Sequence, residues 1–277
     1  MTPLTFKYRS SDITYVKAGS GPRLAVCFHG FMEDASAFPA MADHLPGYTL
    51  VAFDLPFHGR TNWREGLHLE VSEWIDIIAQ CPEVGARDYG LIGYSMGGKM
   101  ALALYQARPE RVPFLWLIAP DGLKPDPWHH FATRTRIGHA VMKYNLRHPR
   151  GILRLLDLLE RTRLLNASIA KFVRYYMQDE AMREKVYQTW MTFRDFRPDA
   201  KQIRGQILSH HTDVSMVFGR YDKLCPAARG EIFAEGMPTQ IRLKILQAGH
   251  LLMRPQHLAN VAGALSGSKQ ATAPAET

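Results

Sequence analysis

The 277-residue chain contains little cysteine and no long apolar run. Its three cysteines, Cys27, Cys81 and Cys225, are widely spaced and form neither a CxxC motif nor a disulfide framework, which is typical of a reducing compartment. No apolar stretch approaches the roughly 20 residues that a membrane-spanning helix requires. The first residues lack the basic stretch and apolar core of a secretory signal. These absences predict a cytoplasmic location and no stable membrane insertion, and they leave the oligomeric state unknown.

The number of charged residues is ordinary for a globular protein, but the basic ones are unevenly distributed along the chain. Charged residues make up 22% and hydrophobic residues 46%, values that exclude a disordered chain, a coiled coil and a collagen-like repeat. Residues 121–204 hold 17 basic and 9 acidic residues, whereas the rest of the chain holds 17 of each. This basic segment fits a solvated helical surface, a surface that attracts an anionic substrate or a carrier-borne acyl group, or contact with an anionic membrane. It carries no recognition motif, so we expect no nucleic-acid partner.

Strand-like and helix-like patterns alternate in the outer parts of the chain. A β-rich hairpin over residues 4–18 precedes short apolar runs, which lie at residues 24–28, 48–54, 89–93, 114–119, 213–219 and 241–247. Helical patterns lie between most of these runs. Because strands buried on both faces are apolar throughout, this order predicts an α/β fold with a parallel sheet and helices on both faces.

The middle of the chain lacks β-rich runs and has the pattern of several amphipathic helices. We therefore predict a core formed by residues 1–120 and 205–266 and an all-helical cap formed by residues 121–204. The polar, small residues at 267–277 predict a disordered tail.

The strongest chemical signal is a G-x-S-x-G sequence at residues 93–97, placed after an apolar run and before a helical pattern. A tight strand-to-helix turn needs small residues on both sides and projects the central hydroxyl into the open. The N-terminus of the following helix favours negative charge that develops nearby. This context predicts that Ser95 is a nucleophile.

A serine hydroxyl needs a base, and the base needs an orienting carboxylate. His250 directly follows the last apolar strand, at the carboxyl end where an open α/β sheet places its active residues. Asp222 follows the preceding strand in the same way. Asp121 is a geometric rival, although its place between proline and glycine is typical of a turn residue. We expect Asp222 to orient His250, and His250 to take the proton of Ser95.

The substrate carbonyl also requires an oxyanion hole of backbone N–H groups. The residue after the nucleophile, Met96, supplies one such group, and the loop after the strand at 24–28 supplies the other, from Phe31. No metal or cofactor is expected, because the adjacent histidine pairs at 129–130 and 210–211 have no third ligand and no phosphate-binding glycine loop is left over.

We expect the substrate pocket to be lined by Phe31, Tyr94, Trp128 and Phe131. An aromatic lining suits a small-molecule substrate with an apolar acyl or aromatic group, although such residues also serve to join the cap to the core. Lys99, on the helix that follows the nucleophile, is expected to be exposed rather than catalytic.

The motifs at residues 29–31, 54–61, 93–98, 219–222 and 248–250 together resemble the α/β-hydrolase fold superfamily, in the branch with a helical cap after the sixth strand. The resemblance implies an eight-stranded, mostly parallel sheet, a triad of Ser95, Asp222 and His250, and an oxyanion hole at Phe31 and Met96. It departs mildly at Phe57 and Thr61, in a loop where we expect a structural role for the neighbouring His58.

The function that the resemblance implies is an esterase-like serine hydrolase, which cleaves carboxylic esters through an acyl-enzyme. A carbon–carbon bond hydrolase or lyase, and a thioesterase or acyltransferase, share the same motifs and remain alternatives. A non-catalytic ligand-binding relative would be expected to lack a triad member, and none is missing here.

Overall fold

The structure, a computed structural model, describes residues 2–162, 164 and 167–267. The predicted tail beyond residue 267 therefore lies outside the described residues. Eight described strands form one sheet: β1 Leu4–Tyr8, β2 Ser11–Ala18, β3 Arg23–Phe28, β4 Tyr48–Phe53, β5 Gly90–Tyr94, β6 Phe114–Ile118, β7 Asp213–Gly219 and β8 Ile241–Leu246.

The sheet has the strand order β1-β2-β4-β3-β5-β6-β7-β8. Strand β2 runs antiparallel to both of its neighbours, β1 and β4. The six strands β3 to β8 run parallel to one another. In this register Phe28 at the end of β3 lies opposite Gly93 of β5, so the carboxyl ends of the central strands meet at one edge. The predicted eight-stranded, mostly parallel α/β sheet is confirmed.

Helices cover both faces of the sheet. Their bounds are α1 Pro39–Ala42, α2 Val71–Gln80, α3 Met96–Ala107, α4 Pro127–Arg134, α5 Arg136–Arg147, α6 Arg150–Arg161, α7 Ala167–Met177, α8 Glu180–Thr192, α9 Ala200–His210, α10 Ala227–Ala234 and α11 Pro255–Ser266. Side chains of α2, α3 and α9 pack in one buried apolar cluster, and those of α1 and α11 pack in a second. The inner strands are apolar on both sides because each side faces one of these clusters.

Helices α4 to α8, residues 127–192, lie between β6 and β7, and we refer to them as the helical insertion. A small apolar cluster of the insertion, centred on Ala132, Met142 and Val186, packs against Phe31 of the sheet domain. Leu155 and Leu158 of α6, in contrast, are more than half exposed. None of the described helices is both long and apolar enough to cross a membrane.

The boundary predicted at residue 204 falls inside α9, which the sequence patterns did not predict. Ile203 and Ile207 of α9 are fully buried in the cluster that also contains α3. Since α9 packs with the sheet domain, we describe it together with the sheet, and the predicted cap boundary at residue 204 stays a prediction. That the helical insertion forms a separate cap also stays a prediction.

Candidate active site

Ser95 lies at the bend between β5 and α3, in a strained backbone conformation with φ 52° and ψ −117°. A non-glycine residue at positive φ costs of order 1–3 kcal/mol and persists only where its surroundings hold it. Here the Ser95 N–H donates to the carbonyl oxygen of Ile118 at 3.0 Å, and the Ser95 carbonyl oxygen accepts the N–H groups of Gly98 and Asp121. The bend is therefore fixed by the end of β6 and by the first turn of α3.

The two glycines of the G-x-S-x-G sequence allow backbones to approach closely. A Cβ atom on Gly97 would lie 2.0 Å from the carbonyl oxygen of Phe28, and one on Gly93 would lie 2.4 Å from that of Gly97. Both distances are far inside van der Waals contact, so a larger residue would push α3 away from β3 and β5. The glycines thus place the start of α3 and the Ser95 hydroxyl at the carboxyl edge of the sheet.

The structure brings Ser95, His250 and Asp222 together. The distance from Ser95 Oγ to His250 Nε2 is 2.9 Å, and that from His250 Nδ1 to Asp222 Oδ2 is 2.7 Å. The Asp222 side chain is fully buried, and its other oxygen accepts the N–H groups of Leu224 and Cys225. Asp121, the rival acid, instead accepts the N–H of Gly122.

This arrangement specifies where the protons lie. An ionised Asp222 accepts a hydrogen bond from Nδ1–H of His250, which leaves Nε2 as the acceptor for the Ser95 hydroxyl. The imidazole is therefore held in the tautomer that can remove the serine proton. Only 16% of the His250 side chain is exposed, so bulk water has limited access to this chain of hydrogen bonds.

Tyr94 positions the loop that carries His250. Its hydroxyl donates to the His250 carbonyl oxygen at 3.0 Å, and the two rings stack with centroids 5.5 Å apart. Tyr94 is almost fully buried, yet it also borders the cavity in front of Ser95. The sequence predicts a place for Tyr94 in the substrate pocket, whereas its contact with the base is visible only in the structure.

The predicted oxyanion donors lie beside the nucleophile. Phe31 and Met96 both border the same cavity as Ser95, and within the described residues no protein acceptor is hydrogen-bonded to either amide. Their N–H groups are thus available to a ligand. Glu33 holds this loop by accepting the Gly30 N–H at 3.3 Å, and burial raises the pKa of its carboxyl group.

His29 connects the oxyanion loop to the loop after β4. Its Nδ1–H donates to the Gly30 carbonyl oxygen at 2.7 Å, and its Nε2 accepts the Leu55 N–H at 3.1 Å. Burial lowers the pKa of His29 from 6.5 to about 4, because a charged ring would be desolvated. A charged ring could also no longer accept the Leu55 N–H at Nε2. The neighbouring His58 is also buried and donates to the Pro56 carbonyl oxygen, in line with its expected structural role.

We predict that acid destabilises the fold through His29. Since its folded pKa lies below its unfolded pKa, its contribution is complete above about pH 6.5 and is lost as the pH falls toward 4. At pH 5 the loss from this one residue is about 2 kcal/mol. Urea unfolding at pH 7.5 and pH 5.0 should therefore show a smaller pH difference, by about that amount, in His29→Asn than in the wild type. An equal pH difference in both proteins would contradict this assignment.

A cavity of about 970 Å³ opens in front of Ser95, between the sheet edge and the helical insertion. All four residues predicted to contact substrate border it. The Phe31 ring lies 5.0 Å from the ring of Tyr176, and the Trp128 ring lies 5.7 Å from that of Phe131. Trp128 is 59% exposed, so it lies at the solvent-facing part of this lining.

Lys99 does not have the exposed position expected from the sequence. It is half-buried and borders the cavity, one helical turn after Ser95. Its spacing of four residues from the nucleophile on the same helix is a signal that could have revealed this position, because residues i and i+4 share a helix face. No group of three potential metal ligands occurs among the described residues.

Comparisons with known proteins give a family match, curated relatives and similar solved structures. Residues 26–147 match the family model described as alpha/beta hydrolase fold. The chain is 23% identical to the dihydrolipoyllysine-residue acetyltransferase component of the acetoin cleaving system of Cupriavidus necator, over 86% of this chain and 62% of that protein. It is 25% identical to the pimeloyl-(acyl-carrier protein) methyl ester esterase of Aeromonas salmonicida, over 90% of this chain and 97% of the relative.

A solved structure of a thermophilic esterase from Thermogutta terrifontis also resembles this one. It superposes with a TM-score of 0.65 at 18% identity, and covers 94% of this chain and 96% of its own. The chain spans less than two thirds of the length of the Cupriavidus necator protein but nearly all of the Aeromonas salmonicida protein. The similarity therefore extends over the sheet and the helices between β6 and β7 alike.

Proposed function

We propose that this member of the α/β-hydrolase fold superfamily is a serine hydrolase that cleaves carboxylic esters through an acyl-enzyme. The observation that carries the proposal is the chain of hydrogen bonds from Ser95 Oγ to His250 at 2.9 Å and from His250 to Asp222 at 2.7 Å. Both distances lie within the range needed for proton transfer between a nucleophile, its base and an orienting carboxylate.

In the first half of the reaction, Ser95 Oγ attacks the carbonyl carbon of the ester and its proton passes to His250 Nε2. The carbonyl oxygen becomes negative and accepts hydrogen bonds from the N–H groups of Phe31 and Met96. Loss of one such donor typically costs roughly 3 kcal/mol of transition-state stabilisation. His250 then returns the proton to the leaving alcohol, which departs and leaves the acyl group bonded to Ser95.

In the second half, water attacks the acyl-enzyme by the same route. His250 takes a proton from the water, the tetrahedral intermediate collapses, and the proton returns to Ser95 as the carboxylic acid leaves. Asp222 stays ionised throughout and stabilises the imidazolium that forms at each step. No cofactor takes part, and the substrate is a small molecule.

The walls of the cavity support an ester with an apolar acyl or aromatic group. Phe31 and Phe131 border the cavity in front of Ser95, and Met142 and Val186 of the helical insertion border the same space. Such side chains bind hydrocarbon by excluding water from it. We propose that the helical insertion acts as the cap that forms this part of the pocket, in a cytoplasmic enzyme.

A panel of substrates tests the proposed bond type. We expect p-nitrophenyl esters of short and medium acyl chains to be hydrolysed with a higher kcat/KM than the matched acyl-CoA thioesters or a vinylogous diketone. The ester and the thioester share the acyl group, so their ratio reports the preference for the bond together with its leaving group. Faster cleavage of the diketone would assign the chain to carbon–carbon bond hydrolysis instead.

A second candidate, action on an acyl group that is attached to a carrier, is favoured by the surface of the helical insertion. Residues 121–204 carry the whole excess of positive charge, and Arg136, Lys143 and Arg150 lie on the same helices as the exposed Ile137 and Leu155. The Aeromonas salmonicida relative is named for an ester on an acyl-carrier protein. For this candidate, activity on a carrier-linked ester should fall steeply with salt, while activity on a p-nitrophenyl ester should not.

A further inference from the structure

Lys99 carries a cationic group into the wall of the cavity at a defined distance from the nucleophile. Four residues along an α-helix correspond to a rise of about 6 Å, and helical side chains lean toward the N-terminus, which here is the Ser95 end. The loop after β6 packs on the backbone of Lys99, since a Cβ atom on Gly122 would lie 3.1 Å from both its Cα and its Cβ. The side chain therefore reaches the cavity close to the place where a substrate must bind.

The ammonium group of Lys99 has no ion-pair partner in the described part of the chain. Asp121 and Asp126 are the acidic residues whose charges act on it, but neither lies within 4 Å of it. Asp121 accepts the N–H of Gly122, and Asp126 accepts the N–H groups of Trp128 and His129 as the N-cap of α4. Both carboxylates are thus engaged by backbone groups.

The surroundings of Lys99 are poorly suited to an unpaired charge. Burial lowers the pKa of its ammonium group, and the charge of Arg197 acts in the same direction. His129, which also borders the cavity, has its pKa lowered to about 3 by burial and by the nearby Lys99, so it stays neutral at physiological pH. A cation that is partly stripped of water, with no carboxylate bonded to it, attracts an anion more strongly than an exposed lysine does.

We propose that Lys99 binds a carboxylate of the substrate, and that the preferred ester carries this anion a short apolar chain away from the bond that is cleaved. The inference rests on the proposed esterase activity and specifies its substrate class. The apolar walls hold the chain, and the ammonium group supplies the ion pair that the free protein lacks. A charge-assisted hydrogen bond of this kind corresponds to about a tenfold to hundredfold preference over a neutral substrate.

The test compares matched pairs of esters that differ in one charge. Mono-p-nitrophenyl glutarate carries a carboxylate on the acyl side, and its methyl-capped diester is the neutral member of this pair. The acetyl ester of 3-hydroxybenzoate carries a carboxylate on the alcohol side, and the acetyl ester of methyl 3-hydroxybenzoate is the neutral member of that pair. We expect the wild type to prefer the anionic member of at least one pair, and Lys99→Met to reduce that preference about tenfold to hundredfold with little effect on the neutral member.

Two further variants control the experiment. Lys99→Arg keeps the charge and should retain most of the preference. Lys201→Met removes an exposed cation on α9, outside the lining of the cavity, and should leave the ratio unchanged. If Lys99→Met lowered kcat/KM equally for the anionic and the neutral esters, Lys99 would have a merely structural role and the proposal would be overturned. An unchanged preference without any loss of activity would overturn it as well.

Binding without turnover separates this proposal from the esterase assignment. Titration of the Ser95→Ala protein with glutarate by calorimetry should give a dissociation constant that rises about tenfold or more when Lys99→Met is added. If no ester is hydrolysed but this difference is present, the bond type is wrong and the anion subsite stands. If esters are hydrolysed and the difference is absent, the subsite is wrong and the esterase assignment stands.

Discussion

Replacement of Ser95 by alanine should lower kcat for p-nitrophenyl butyrate by about 10⁴- to 10⁶-fold, as observed when a triad nucleophile is removed. The reason is that the variant keeps the cavity and the oxyanion donors but cannot form the covalent intermediate. KM and the thermal midpoint should change little, because the hydroxyl contributes one hydrogen bond, to His250. Initial rates and a thermal unfolding curve measure both quantities.

The matched control for this variant is Ser209→Ala. Ser209 is an exposed serine on α9 whose hydroxyl donates to the Gln206 carbonyl oxygen. Its removal should leave turnover unchanged. If Ser95→Ala kept more than a tenth of the wild-type kcat, another group would have to be the nucleophile and the proposed mechanism would fail.

Asp222→Asn should lower kcat by about 10⁴-fold, with the fold intact. The amide oxygen of asparagine can still accept the N–H groups of Leu224 and Cys225, so its NH₂ group is turned toward His250. That group donates to Nδ1 and stabilises the tautomer in which Nε2 carries the hydrogen. Nε2 can then no longer accept the proton of Ser95. Steady-state kinetics on the same ester, alongside circular dichroism, measure the effect.

Asp121→Asn is the corresponding control, since Asp121 was the rival acid in the sequence. Its carboxylate accepts the N–H of Gly122, one residue along the chain, and does not reach His250. We expect its kcat to remain within a few-fold of the wild type. A larger loss in Asp121→Asn than in Asp222→Asn would transfer the orienting role to Asp121.

The sheet and the end-of-strand positions could be predicted because they depend on local pattern. Continuous apolar runs predicted the buried strands. The glycines at 93 and 97 predicted the strained bend, because only small residues permit the close contacts with Phe28 and Gly98. The juxtaposition of Ser95 and His250, 155 residues apart, then followed from one rule. The carboxyl ends of parallel strands meet at the same edge.

Other features could not be predicted because they depend on tertiary contacts. The helix α9 has polar residues at most positions, and only its burial against α3 identifies Ile203 and Ile207 as core residues. The hydrogen bond from Tyr94 to the His250 carbonyl joins the end of β5 to a loop that is distant in sequence. The four-residue spacing from Ser95 indicates that Lys99 shares the helix face of the nucleophile, but its half-burial also depends on the loop after β6 that packs on it.

Intact-mass spectrometry after treatment with a fluorophosphonate probe tests the formation of a covalent bond at Ser95 most directly. The wild type should gain one probe adduct per chain, peptide mapping should locate it on Ser95, and Ser95→Ala should gain none. An unlabelled wild type, or an adduct on any other residue that persists in Ser95→Ala, would contradict the account.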